Sequence, residues 1–178
     1  VIRQIFFLLA SIPLAWVLSR IPLSSWRLIA RFSAVISIFL LISVQVIGKS
    51  VNGNHNWISL GFVDVQPSEF AKFLMILWAG FILSKRENSG TVQANVITLI
   101  APIFALCILL ILLGSDLGTA CVFAFILAGL LWVSGVRLGI FAGLISFGFA
   151  GIAALIVTAP YRMQRFAVLL NPFAEEQY

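Results

Sequence analysis

Charge is the scarcest commodity in this chain. Only 10% of its 178 residues are Asp, Glu, Lys or Arg, against about 25% in ordinary soluble domains. The hydrophobic share is 62% and the mean hydropathy +1.13. A water-soluble globule could not hide that much apolar surface, so that class is excluded. One histidine and two cysteines leave no zinc-ligand spacing. Cys107 and Cys121 both sit inside apolar runs, where a free thiol behaves as a small hydrophobe. The net charge of +5 has no basic cluster behind it. The bases stand singly at the ends of apolar runs, where interfacial anchoring accounts for them, and no nucleic-acid partner is expected. There is no phosphate loop, nucleophile–base pair, internal repeat or low-complexity tract.

What is present is a series of six apolar segments of membrane-spanning length: Ile2–Leu18, Leu28–Ile47, Ser68–Ser84, Asn95–Leu113, Leu117–Val133 and Leu138–Ala159. The fold class they predict is all-α, a polytopic transmembrane helical bundle forming a single membrane domain over 1–178. Turn-like separators divide them, among them Ser19-Arg20-Ile21-Pro22, Lys85 to Gly90, Gly114-Ser115-Asp116 and Ser134 to Arg137. The fourth and fifth segments are joined so tightly that they must form an antiparallel hairpin. The first segment is too long for a signal peptide and more spans follow it. Val1 is not an initiator methionine and Tyr178 falls in a polar loop, so the chain reads as a fragment of a longer protein.

Orientation follows from lysine and arginine. Arg20, Arg27, Arg31, Lys85, Arg86 and Arg137 share one side, which is assigned to the cytoplasm. The polar stretch Val51–Lys72, Asp116 and the loop from Pro160 then share the outer face.

That polar stretch interrupts the apolar pattern and carries Glu69 and Lys72 into a helix start. Ionisable groups near hydrocarbon cost about 2.5–3.5 kcal/mol each at a helix centre, so they are functional candidates. The plain reading of Gln66-Pro67-Ser68-Glu69 is a helix start, with Pro at the first position and an acid in the first turn. Glu69 and Lys72 are also spaced to pair on one face and to line a polar cavity. Asp116 reads either as the N-cap of the next helix or as a third group in that cavity. Arg162 and Arg165, in an amphipathic segment after the last run, read as interfacial anchors or as a diphosphate clamp. His55 reads as solvated and Trp57 as an interfacial anchor.

These residues resemble a family. Asn52-Gly53, Trp57-Ile58, Leu60-Gly61 and Gln66 to Lys72, then Asp116-Leu117-Gly118-Thr119, then Pro160-Tyr161-Arg162 with Arg165 and Asn171-Pro172-Phe173, look like the ordered signature of the FtsW/RodA/SpoVE (SEDS) polymerases. The last two elements favour the division branch over the elongation branch. The resemblance implies a multi-pass protein of the bacterial inner membrane, working at the division septum. It implies a peptidoglycan glycosyltransferase that polymerises lipid II and releases undecaprenyl diphosphate. The implied partners are lipid II, membrane lipid, a class B penicillin-binding protein and other division proteins. It places Glu69 and Lys72 in a central cavity, with Asp116, Arg162 and Arg165 in neighbouring family elements. It puts the catalytic aspartate beyond Tyr178, so no catalytic residue is expected in this chain. No cofactor is evident, and a divalent metal is compatible with the chemistry. One departure is local: Ala174 to Tyr178 stands where family members carry an Asp-Pro-Gly-rich turn.

Two other function classes fit the same composition. A flippase or other transporter would also hold intramembrane Glu, Lys and Asp, although here the charges gather toward one face. A non-catalytic division scaffold would use the small residues of the last run, Gly139, Gly143, Gly148 and Gly151.

Overall fold

The computed structural model describes residues 2–51, 54–59, 61, 64–87 and 92–157. In chain order the elements are α1 Ile2–Ser19, α2 Leu23–Ile47, β1 Lys49–Val51, β2 Asn54–Ser59, β3 Asp64–Val65, α3 Pro67–Glu87, α4 Val92–Leu113, α5 Leu117–Val133 and α6 Leu138–Val157. The helices run from 17 to 25 residues. At about 1.5 Å per residue, these lengths match a hydrocarbon layer of about 30 Å. The all-α polytopic class expected from the apolar runs is the fold observed. The chain separates into two compact units, Val1–Ile126 and Leu127–Tyr178.

In the first unit α2 packs on α3, and α4 packs on both. The buried residues of α2 are Ala30, Ser33, Ala34, Ser37, Leu41 and Val44. Their steps of three and four make one stripe down the helix. On α3 the buried apolar stripe is Ala71, Met75, Trp78 and Ala79, with Pro67 and Ser68 buried in the first turn. Small side chains on both stripes let the two backbones approach closely, the usual device where lipid removes the hydrophobic drive. The Ser37 hydroxyl donates to the Ser33 carbonyl at 2.8 Å and lies 3.5 Å from the Ala71 carbonyl across the interface. Ile100, Phe104, Cys107 and Ile111 form the buried stripe of α4. Cys107 Sγ lies 3.9 Å from Met75 Sδ, and the Phe104 and Phe123 rings meet at 6.2 Å.

Elsewhere large apolar side chains face outward. Leu8, Leu9, Ile12, Leu14 and Trp16 of α1 are each more than half exposed, a surface suited to lipid tails or neighbouring spans and not to water. Arg20 lies 5.1 Å from the Trp16 ring centre, a cation–aromatic pair of the kind that anchors a helix end at an interface.

The apolar runs misplace some helix ends. α2 starts five residues before Leu28, because Pro22 is extended (φ −66°, ψ 148°) and its carbonyl accepts the N–H groups of Ser25 and Trp26. Arg27 therefore rides on the helix instead of ending a loop. The polar stretch is not a plain loop either. It forms a small antiparallel sheet in the order β1-β2-β3. Ser50 faces His55 and Val51 faces Asn54, while Ile58 faces Val65 and Ser59 faces Asp64. The ladder satisfies backbone groups that would otherwise sit unpaired beside the membrane.

In the second unit α5 ends in a Schellman motif. Gly135 takes the left-handed conformation (φ 69°), its N–H donates to Trp132 O at 3.1 Å, and Val136 N–H donates to Leu131 O at 3.3 Å. α6 follows, with the Trp132 and Phe141 rings 5.3 Å apart.

Candidate functional site

The α4–α5 connection is three residues long and each has a separate job. Ser115 takes the left-handed conformation (φ 62°). Its N–H donates to Leu112 O at 2.9 Å, and Asp116 N–H donates to Ile111 O at 3.3 Å. This is the same C-terminal motif as at Gly135, with serine in the position that glycine usually fills. Asp116 then starts α5. Its carbonyl accepts Ala120 N–H at 3.2 Å and its Oδ1 accepts Thr119 N–H at 3.0 Å, which makes it a true N-cap. The third residue, Gly114, passes its carbonyl to His55 N–H at 2.9 Å. A β-carbon there would stand 2.8 Å from the His55 carbonyl oxygen, so only glycine lets β2 lie this close.

Asp116 is also the centre of a buried network, at 6% exposure. Its Oδ2 accepts from Asn56 Nδ2, from Gln66 Nε2 at 3.0 Å and from Thr119 Oγ1 at 2.6 Å. Gln66 Nε2 also lies 3.4 Å from Thr119 Oγ1. One carboxylate thus joins β2, the residue before α3, and the first turn of α5. Asn56 and Thr119 are themselves buried. Buried charge is tolerated where hydrogen bonds replace its hydration, and here four donors do so. Gln45, near the end of α2, adds a further tie. Its Nε2 donates at 2.9 Å to the Leu110 carbonyl, one of the orphan acceptors of the last turn of α4.

The charged pair lies at the start of α3. Pro67 occupies the first helical position and Glu69 the first turn, and Glu69 N–H donates to Gln66 O at 3.1 Å. Lys72 Nζ meets Glu69 Oε1 at 2.7 Å across one turn, with Glu69 55% exposed and Lys72 23%. Gln66 thus ties this helix start directly to Asp116. The geometry gives the three ionisable residues two different settings. Glu69 and Lys72 form an accessible ion pair, whereas the carboxylate of Asp116 is fully engaged inside the fold. Arg162 and Arg165 lie outside the described residues. Among the described residues, no three His, Cys, Asp or Glu side chains gather as a metal site would require.

Asn56 and Gln45 were not singled out from the sequence. A glutamine in the last turn of an apolar helix is itself a signal, because an amide in hydrocarbon needs a partner. Asn56 carried no comparable mark within a stretch already rich in asparagine.

An apolar helical bundle with a sheet, a buried carboxylate node and an accessible ion pair gathered at its polar end defines a polytopic membrane protein. The FtsW/RodA/SpoVE family of cell cycle proteins matches residues 1–178, and the chain belongs to that family. It is 36% identical over 179 residues to the probable peptidoglycan glycosyltransferase FtsW of Coxiella burnetii, covering 98% of this chain and 48% of that protein. The chain spans about half the length of the curated relatives it matches. Among solved structures, it is similar to a chain of a peptidoglycan synthase complex that coordinates polymerization and crosslinking (TM-score 0.76, 26% identity, 96% of this chain and 51% of that one). It is also similar to the rod shape determining protein RodA of Thermus thermophilus (TM-score 0.69, 27% identity, 81% of this chain and 46% of that one).

Proposed function

We propose that the full-length protein is a peptidoglycan glycosyltransferase of the bacterial inner membrane that polymerises lipid II during septal wall synthesis, with a class B penicillin-binding protein as partner. The observation that carries the reading is the Glu69–Lys72 ion pair, held at the polar end of a chain that matches the family throughout. Lipid II is a diphosphate-linked lipid, so its reacting bond lies at the membrane surface. A cation at the first turn of a membrane helix suits the charge that develops on a departing diphosphate. Glu69 holds Lys72 in place between turnovers. Asp116 is occupied by its four donors, so it serves as a positioning residue. The general base for the acceptor hydroxyl is assigned, as the family resemblance implies, to a carboxylate outside residues 1–178.

The pair's exposure separates function from stability. An ion pair this accessible contributes only about 0.2–1 kcal/mol to folding. Glu69→Gln and Lys72→Met in the full-length protein should therefore leave membrane abundance near wild type while lowering lipid II turnover per folded molecule at least tenfold. The measurement is glycan-ladder formation from labelled lipid II by purified protein with its partner. Wild-type turnover in both variants would make the pair a helix-start device and remove it from the site. Lipid II translocation without ladder formation in the wild-type protein would favour a transporter instead.

A further inference from the structure

Two buried polar atoms have no hydrogen-bond partner among the described residues, Asn56 Oδ1 and Ser68 Oγ. Asn56 is 6% exposed and Ser68 3%. The amide orientation is fixed by its neighbour: Nδ2 must face the Asp116 carboxylate, so the oxygen faces away from it. Both residues line one cavity of about 10 Å³, whose wall is completed by Leu41, Val44, Gln45, Ile111 and Gly114. That volume suits a single water molecule, which needs about 10–15 Å³ and two or more polar partners.

We propose that this cavity holds one structural water that bridges Asn56 Oδ1 on β2 to Ser68 Oγ in the first turn of α3. The donor count fits this occupant. The amide oxygen needs a proton, which water donates. The serine hydroxyl donates its own proton to the water oxygen. Gln45 and Gly114 stand in the same wall. A cation would seek several oxygens and a free carboxylate, but the Asp116 oxygens are already occupied. A sugar hydroxyl with its ring, or a lipid methylene chain, exceeds the volume. The water would be a second tie, independent of Asp116, between the sheet and the helix start that carries Glu69 and Lys72.

The test uses the full-length protein. An experimental map fine enough to show ordered solvent should place a water within hydrogen-bond distance of both atoms. No density there, or a side chain from elsewhere in the protein, would overturn the proposal. Two variants give an independent answer through the midpoint of thermal unfolding in detergent. Ser68→Ala removes one partner while favouring the helix, so a fall of a few degrees supports the bridge. An unchanged or raised midpoint means that the hydroxyl had nothing to lose. Val44→Ile narrows the cavity. A lowered midpoint follows if it expels a bound water, whereas a raised one marks a dry void being filled and overturns the assignment. Exchange of sodium for potassium or choline should leave the wild-type midpoint unchanged. A midpoint that follows one cation would replace the water with an ion.

Discussion

Replacing Asp116 with asparagine tests the buried node most directly, because it keeps the shape and removes one acceptor. Two placements of the new amide are possible. In the first, its NH₂ takes the Oδ2 position and meets three donors. The Thr119 hydroxyl can rotate and accept, whereas the amides of Asn56 and Gln66 can accept only by turning over, which gives up their present charge-assisted bonds. Two charge-assisted hydrogen bonds are lost, at about 1.5–3 kcal/mol each. In the second, the amide oxygen takes the three donors and the NH₂ faces Thr119 N–H. That loses the cap, about 1 kcal/mol, and weakens three bonds from charged to neutral, about 1 kcal/mol each. The first route costs about 3–6 kcal/mol and the second about 4 kcal/mol. Asp116→Asn in the full-length protein should therefore fall sharply in thermal midpoint and in membrane abundance, and any remaining folded molecules should keep much of their turnover. Thr119→Val should lose one charge-assisted bond, about 1.5–3 kcal/mol, since the N-cap survives. A variant Asp116→Asn as stable as wild type but inactive would refute the reasoning and return Asp116 to the reacting groups.

Ser115→Gly should stabilise the protein by about 1 kcal/mol, because glycine removes the left-handed penalty at φ 62°; thermal midpoint is the readout, and a fall would show that the serine side chain is needed. Gly114→Ala should destabilise by about 1–3 kcal/mol as β2 is pushed from the α4 end by a methyl group 2.8 Å from His55 O, with a loss of protection for the His55 amide in hydrogen exchange. Single cysteines at His55 and Lys85, in a background lacking Cys107 and Cys121, should label oppositely with an impermeant thiol reagent on intact cells, position 55 reacting and position 85 not; the reverse pattern would invert the orientation.

The spans were legible because hydrocarbon demands long uninterrupted runs, and the runs ending at Ile47 and Val133 end where the helices do. The starts of α5 and α6, at Leu117 and Leu138, were equally legible, whereas the start of α2 and the end of α3 were not. Past the hydrocarbon a helix continues on propensity and caps alone, as α3 does through Lys85 to Glu87. The sheet left one trace, Asn52-Gly53 between β1 and β2, a pair that favours two-residue hairpin turns. Its strands are only two to six residues long, too short for alternation to stand out. At the site, the N-cap role of Asp116 and the Glu69–Lys72 spacing were local and readable. The network was not, since Asn56 and Gln66 reach Asp116 from 60 and 50 positions away. Nothing in an unaligned sequence marks which of several amides will meet one carboxylate.

The order of the network along the chain has a consequence for how the protein is made. Synthesis runs from the N-terminus, so Asn56 and Gln66 leave the ribosome before Asp116 does. The α4–α5 turn carries the Asp116 carboxylate to the polar end of the first unit, where Asn56 and Gln66 replace its hydration. The donors lie on β2 and in the residue before α3, both made of earlier residues. The network cannot close until Asp116 has been made, however early its amide donors are placed. A chain interrupted between Gln66 and Asp116 would hold both donors without the carboxylate they share, so the polar end depends on residues made about fifty positions later.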